Sequence, residues 1–382
     1  MKNYICGKCK REFNSKASLK KHKETVCFKR EKFAFNILAA FLIFSVLFIL
    51  LSVHSVHALS FPSGITNYVA LNISNSQSTA TPNPFQQMIN VTSSNSGWTY
   101  INNTGNHFGQ NVEFFYSNGT VIPSWLENYT SGHAIWWVKT GSIAASSTLT
   151  IYMGFANKTT NLFNNKTTGE APQLSSTYAE YDTGFRVFNY YVNFNSTTLP
   201  QNWHYSLSSG STCTIDNGVT CTAPLFSSNY GCAFIEYYYN LSNLGTKEAF
   251  DWGSGPFTQD VKALYIQEGG GPYCTPGPGY FNLLGVSGST TLYGASGTYA
   301  IPDNIGYPSF SGFLNSTDGF VFQFNYNTFA ITSGPVASSY FGKNWFAVGD
   351  VNDSSTPPFY WFDIRNLPPN DIMPSVSFGS IA

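Results

Sequence analysis

The chain has 382 residues, of which 17% are aromatic and only 10% are charged. An average soluble domain carries about 25% charged residues, so this is a lightly charged sequence with ample apolar material for real cores. That excludes wholesale disorder, and the scarcity of Lys, Glu and Ala excludes a long coiled coil or helical repeat. The net charge of −1 hides a split. Residues 1–32 hold 11 of the 19 Lys and Arg against three Glu, a net of +8, and the rest of the chain is −9. Such an asymmetry suggests two compartments rather than one surface.

In chain order, the first signal is a metal-ligand spacing. Cys6 and Cys9 form a C-x2-C pair, twelve residues precede His22, and Cys27 follows after four more. Two thiolates on a tight turn and two ligands one helical turn apart can close a tetrahedron around zinc. Phe13 and Leu19 supply the two core positions, because so short a segment does not fold without its metal. The segment resembles a single ββα zinc finger of the two-Cys two-His superfamily, with Cys27 in place of the second His. The resemblance implies Cys6, Cys9, His22 and Cys27 as zinc ligands over residues 1–30. It also implies Ser15, Ser18 and Lys21 as base-facing helix positions, with Lys10, Arg11, Lys20 and Lys23 near phosphates. One finger reads about three base pairs, so a cytoplasmic protein partner is favoured over nucleic acid. The same basic charges also suit an anionic lipid surface.

The run Phe33–Val53 contains no charge in 21 residues. As a helix it would span about 30 Å, the thickness of a bilayer core. Lys29, Arg30 and Lys32 precede it, and no basic residue follows until Lys139. A transmembrane helix is expected over 31–55, with the N-terminus inside and the bulk of the chain outside. The alternative is a signal peptide cleaved near Ala58, which would release the remainder.

Beyond Leu59 the chain reads as β. Tyr68–Ile73 and Thr148–Met153 alternate, while 111–116, 134–139 and 185–194 are β-branched or aromatic runs of strand length. Asn118-Gly119, Asn217-Gly218 and Ser287-Gly288 mark turns between them. The fold class expected is mainly β, with two antiparallel sandwiches over 60–194 and 195–382. Segments 84–91, 111–127, 135–157 and 169–194 resemble the domain-of-unknown-function 2341 family of prokaryotic surface proteins. That family carries no known activity to transfer. Leu199–Trp203 and the closing FYWFDIRNLPPNDIMPSVSFG resemble concanavalin-like jelly rolls, which implies a glycan or protein binder or a glycosidase.

Four cysteines follow the apolar run: Cys213, Cys221, Cys232 and Cys274. Three connectivities are open, as are four free thiols. A three-residue loop at Asp216-Asn217-Gly218 would set Cys213 directly opposite Cys221, leaving Cys232–Cys274 by subtraction. For catalysis, Glu236, Glu248, Asp251 and Glu268 are available acids, but no paired-carboxylate strand signature or nucleophile elbow accompanies them. His107, His133 and His204 are isolated, and no enzyme is expected. For binding, alternation through Trp136-Trp137 sends one indole inward and one outward, so the outer one either stacks on a sugar ring or packs on the second domain. Eleven Asn-x-Ser/Thr sequons, from Asn72 to Asn352, all follow the apolar run and are compatible with a glycosylated surface. Together these readings describe a single-pass cell-surface protein that recognises a glycan or an envelope partner. A structural envelope component and a secreted polysaccharide hydrolase are the alternatives.

Overall fold

The computed structural model describes residues 3–23 except Lys8, 59–223 except 105–107, and 358–382. Between 223 and 358 it describes the strands named below, with side chains at 233, 235, 237 and 248–253. The chain divides into two compact units, Met1–Ala58 and Leu59–Ala382. The transmembrane helix expected over 31–55 lies outside the described residues. Among the described residues, no helix is long and apolar enough to cross a membrane.

In the first unit, β1 (Tyr4–Ile5) and β2 (Glu12–Phe13) form an antiparallel hairpin, and α1 (Lys16–His22) follows. Ser15 starts α1 because its extended backbone lets Oγ accept from the Ser18 N–H at 3.2 Å. Lys20, Lys21 and His22 fill the last turn, where the exposed carbonyls favour cations.

The second unit is built from four main sheets. The first contains β3 (Asn67–Asn75), β5 (Val112–Phe115), β6 (Val121–Ile122), β9 (Ser147–Phe155) and β26 (Ser375–Ile381), in the order β26-β3-β9-β5-β6. The second contains β4 (Phe85–Thr92), β7 (Ser124–Thr130), β8 (His133–Thr140) and β10 (Thr168–Glu170), in the order β10-β7-β8-β4. Among the strand pairs of these two sheets, only β10 on β7 is parallel. Alternation explains the pairing: Val69, Leu71, Ile73, Ile151 and Met153 point from the first sheet onto Ile89, Val91 and Trp136 of the second.

The third sheet holds β11 (Tyr190–Val192), β13 (Thr212–Ile215), β14 (Val219–Thr222), β16 (Glu248–Ser254), β21 (Ser309–Asn315), β22 (Gly319–Phe324), β23 (Asn327–Ile331) and β25 (Phe359–Asn366). Its order is β13-β14-β25-β16-β21-β22-β23, with β11 also on β25. The fourth runs β12 (Trp203–Leu207), β15 (Cys232–Tyr239), β24 (Asn344–Val351), β17 (Leu264–Glu268) and β18 (Phe281–Asn282). A ribbon of β19 (Thr291–Gly294) and β20 (Gly297–Ala300) completes the strands. Phe362 of β25 meets Trp203 at 5.4 Å and Tyr237 at 6.0 Å, which joins the third and fourth sheets through an aromatic core.

Two expectations need correction. Residues 185–194 are not one strand: α2 (Gly184–Val187) takes the first part, and only Tyr190–Val192 pairs. The chain turns there, with Asp182 Oδ1 accepting from the Gly184 N–H two residues on at 3.0 Å. Nor do the strands divide at 194/195. β11 belongs to the third sheet, and β26 returns from the far end of the sequence to pair with β3, with Val376 opposite Ile73.

The two sandwiches meet back to back, β7 and β8 against β25. Trp125 and Trp361 meet edge to face at 5.0 Å. Trp361 fits because it lies over Gly253 of β16, where a Cβ would overlap the indole. Polar groups trapped in this layer bond one another. Asp182 accepts from Trp125 Nε1 at 3.0 Å, Tyr191 Oη at 2.8 Å and Asn193 Nδ2 at 2.8 Å. Arg365 Nε donates to Asp251 at 2.5 Å, and its guanidinium lies 4.9 Å from the Trp137 ring. Asp363, cross-strand partner of Asp251, meets no N–H or O–H donor.

Burial raises four acids of this unit. Glu113 is pushed up to about 7, as is Glu170 despite the Ser175 hydroxyl on its carboxylate. Asp182 is raised to about 6 in spite of its four donors, and Asp363 is raised well above its ordinary range by burial and then by Asp251. The folded state therefore holds protons that the unfolded state has released, so stability is greatest below about pH 4 and falls as pH climbs towards 7. Half-buried His133, lowered by burial, acts weakly in the opposite sense. Thermal melts of the chain across pH 3–8 should show Tm falling from acid to neutral, and a Tm that rises over pH 4–7 would contradict this. Trp361→Ala should cost about 3–5 kcal/mol in denaturant titrations.

Candidate metal centre and the other predicted sites

Cys6, Cys9 and His22 come together at one end of the first unit. Their ligand atoms all lie within 4.8 Å of one another, with Cys9 Sγ 3.0 Å from His22 Nε2. The hairpin makes this possible. The Lys10 N–H donates to the Cys6 carbonyl and the Cys6 N–H to the Arg11 carbonyl, both at 2.8 Å, and Lys10 takes a left-handed backbone with φ of 59°. That turn aims the thiols of Cys6 and Cys9 at one point. His22 reaches it from the last turn of α1, its ring 4.8 Å from Phe13. Two sulfurs and one imidazole nitrogen suit a tetrahedral zinc, with a fourth position left for another ligand. Cys27, the residue assigned there, lies outside the described residues. Of the base-facing positions, Ser15 and Ser18 bond each other through their hydroxyls at 2.9 Å, whereas Lys21 is exposed.

Cys213 and Cys221 are joined by a disulfide. They face each other in register on β13 and β14 across the loop Asp216-Asn217-Gly218, where the Asp216 N–H donates to the Gly218 carbonyl at 2.9 Å. Asn217 and Gly218 both have positive φ. Thus the loop length expected from the sequence sets the pairing. Cys232 lies on β15 opposite Val351, and Cys274 falls outside the described residues.

Of the two alternatives for Trp136-Trp137, the structure shows packing on the second sandwich rather than an open face for stacking on sugar. Both indoles are 1% exposed, so neither is available to a ligand. Trp136 points between the first two sheets, 6.0 Å from Phe108. Trp137 points the other way and is covered by the second sandwich: Phe188 lies 5.9 Å away, Arg365 stacks on it, and its Nε1 donates to Glu127 at 2.6 Å. Alternation is obeyed, but the outer face of the sheet is a second interior.

Among the acids considered for catalysis, Asp251 is consumed by its ion pair with Arg365. Glu248 sits at the start of β16 opposite Asn366, and Glu236 and Glu268 lie on β15 and β17 with side chains outside the described ones. His133 begins β8, His204 is exposed on β12, and His107 is outside the described residues. Asp182 and Arg365 drew no attention in the sequence. Their signal was rarity, since a charge kept inside aromatic runs such as FYWFDIRN has a buried partner.

Residues 108–206 match the family described as Domain of unknown function (DUF2341). The match begins just before β5 and ends within β12, so it crosses from the first sandwich into the second. "Uncharacterized protein 562" of Sulfolobus islandicus rod-shaped virus 1 is 38% identical over 136 residues, 34% of this chain and 22% of that protein. The chain thus matches less than a quarter of that relative's length. The T. cruzi calreticulin globular domain, a solved structure, covers 47% of this chain and 86% of its own at 10% identity and a TM-score of 0.27, a likeness too slight to carry an argument.

Zinc titration of the full chain, read by bound metal per chain, should give one equivalent. Cys6→Ser and His22→Ala should each abolish it, whereas Cys213→Ser should leave it intact. Retention of stoichiometric zinc by Cys6→Ser would refute the ligand assignment.

Proposed function

We propose that the chain is a single-pass surface protein with a zinc-binding finger inside and a β body outside that recognises a glycan or an envelope partner. One observation carries the reading. Before the uncharged run, Cys6 and Cys9 converge beside His22 without forming a disulfide, and after it Cys213 and Cys221 are oxidised to a disulfide. Thiols kept for a metal belong to a reducing compartment and disulfides to an oxidising one. The 21-residue run Phe33–Val53 is long enough to separate them. In this reading the second sandwich is of the concanavalin-like kind, Cys27 is the fourth zinc ligand, and no reaction is catalysed.

The burial of both tryptophans favours a second reading, a structural envelope component without a discrete ligand site, because it removes the residues suited to stacking on sugar. Tags at both ends, external protease on intact cells and a glycan array with the whole solubilised chain test these together. The expected result is one membrane species carrying both tags, cut from outside only after residue 59, and binding a defined glycan class. A soluble species starting near Leu59 would overturn the anchored reading. A silent array, with the chain integrated in the envelope, would favour the structural one.

A further inference from the structure

The eleven sequons are alike in sequence, but the fold separates them. Asn118, Asn157, Asn165 and Asn195 stand on connections between strands, and all four are exposed. None donates a side-chain hydrogen bond among the described residues. In two of them the carboxamide oxygen turns back onto its own sequon: the Thr120 N–H donates to Asn118 Oδ1 at 3.0 Å, and the Thr159 N–H to Asn157 Oδ1 at 3.3 Å. That occupies the oxygen and leaves Nδ2 facing water.

Asn102 has the same motif and the opposite setting. It is 6% exposed, and its Oδ1 accepts from both the N–H and the hydroxyl of Thr104, while its own N–H donates to Asn111. Asn111 in turn bonds the carbonyls of Tyr100 and Ala156, so this asparagine pair ties the segment before β5 to the end of β9. A sugar on Asn102 would have to be packed into that interior, whether it was added before or after folding. Asn72, Asn90 and Asn128 lie within β3, β4 and β7, where the backbone is held in ladders.

We propose that Asn118, Asn157, Asn165 and Asn195 are N-glycosylation sites and that Asn102 is not. The donor is an oligosaccharide linked to a lipid pyrophosphate or phosphate. The asparagine Nδ2 attacks the anomeric carbon, a C–N bond forms, and the C–O bond to phosphate breaks. The lipid phosphate leaves with the electron pair, and the amide proton passes to a base of the transferase. The inference rests on the outside location proposed above, because such donors and their transferases work on that face.

The test expresses the full chain in a host with an outward-facing oligosaccharide transferase and reads glycopeptides by mass spectrometry beside external protease cleavage. The expected result is sugar mass on all four asparagines and none on Asn102. Asn118→Gln, Asn157→Gln, Asn165→Gln and Asn195→Gln should each lower the intact mass by one glycan. Four bare asparagines on a chain that external protease cuts beyond residue 59, or sugar on Asn102, would overturn the inference alone. A chain that the protease cannot reach from outside would overturn it together with the surface reading.

Discussion

The second unit depends on the packing of β7 and β8 against β25. A single antiparallel sandwich has two outer faces that meet water. Here one face of each sandwich is turned inward, with Trp125 against Trp361 and Trp137 beneath Arg365. Each indole brings a large apolar area and one N–H. For Trp125 and Trp137 that N–H is met by Asp182 and Glu127, acids on the same side of the layer. Four sheets are thereby held in one compact unit, and the low charge content of the sequence has a physical reason. With interior on both sides of two sheets, less of the chain can be charged without being buried.

That layer is rich in carboxyl groups and poor in cations. Arg365 binds Asp251, Glu127 accepts from the Trp137 N–H, and Asp363 is raised by burial and then by the Asp251 charge. Replacing such groups with apolar residues is often tolerated, whereas removing one partner leaves a buried charge exposed to nothing but hydrocarbon. Asp251 and Arg365 should therefore be regarded as a pair in any variant.

Local features were legible in the sequence. The C-x2-C turn, the Asp216-Asn217-Gly218 loop and the alternating strands β3 and β9 depend on neighbours in the chain, so spacing and periodicity reveal them. Partnership between distant elements was not legible. Nothing near Trp137 announces that β25, more than two hundred residues later, covers it. For the same reason 185–194 read as one strand, since its aromatic composition was plain while the turn-forming bond from Asp182 to Gly184 was not. The true edge of the first sandwich was hidden too, because its last strand is the final segment of the sequence.

That final strand has a consequence for how the protein is made. Tyr68 and Ala382 exchange backbone hydrogen bonds at 2.9 Å in both directions, so segments more than three hundred residues apart lie side by side in the second unit. A chain delivered from its N-terminus cannot complete its first sheet until residues 375–381 have emerged. Until then β3 presents an unpaired edge built of Val69, Leu71 and Ile73, open to a strand from another copy. Any chain interrupted before β26 keeps that edge, so translation stops and late proteolytic clipping should yield oligomers joined through β3 rather than a shortened monomer.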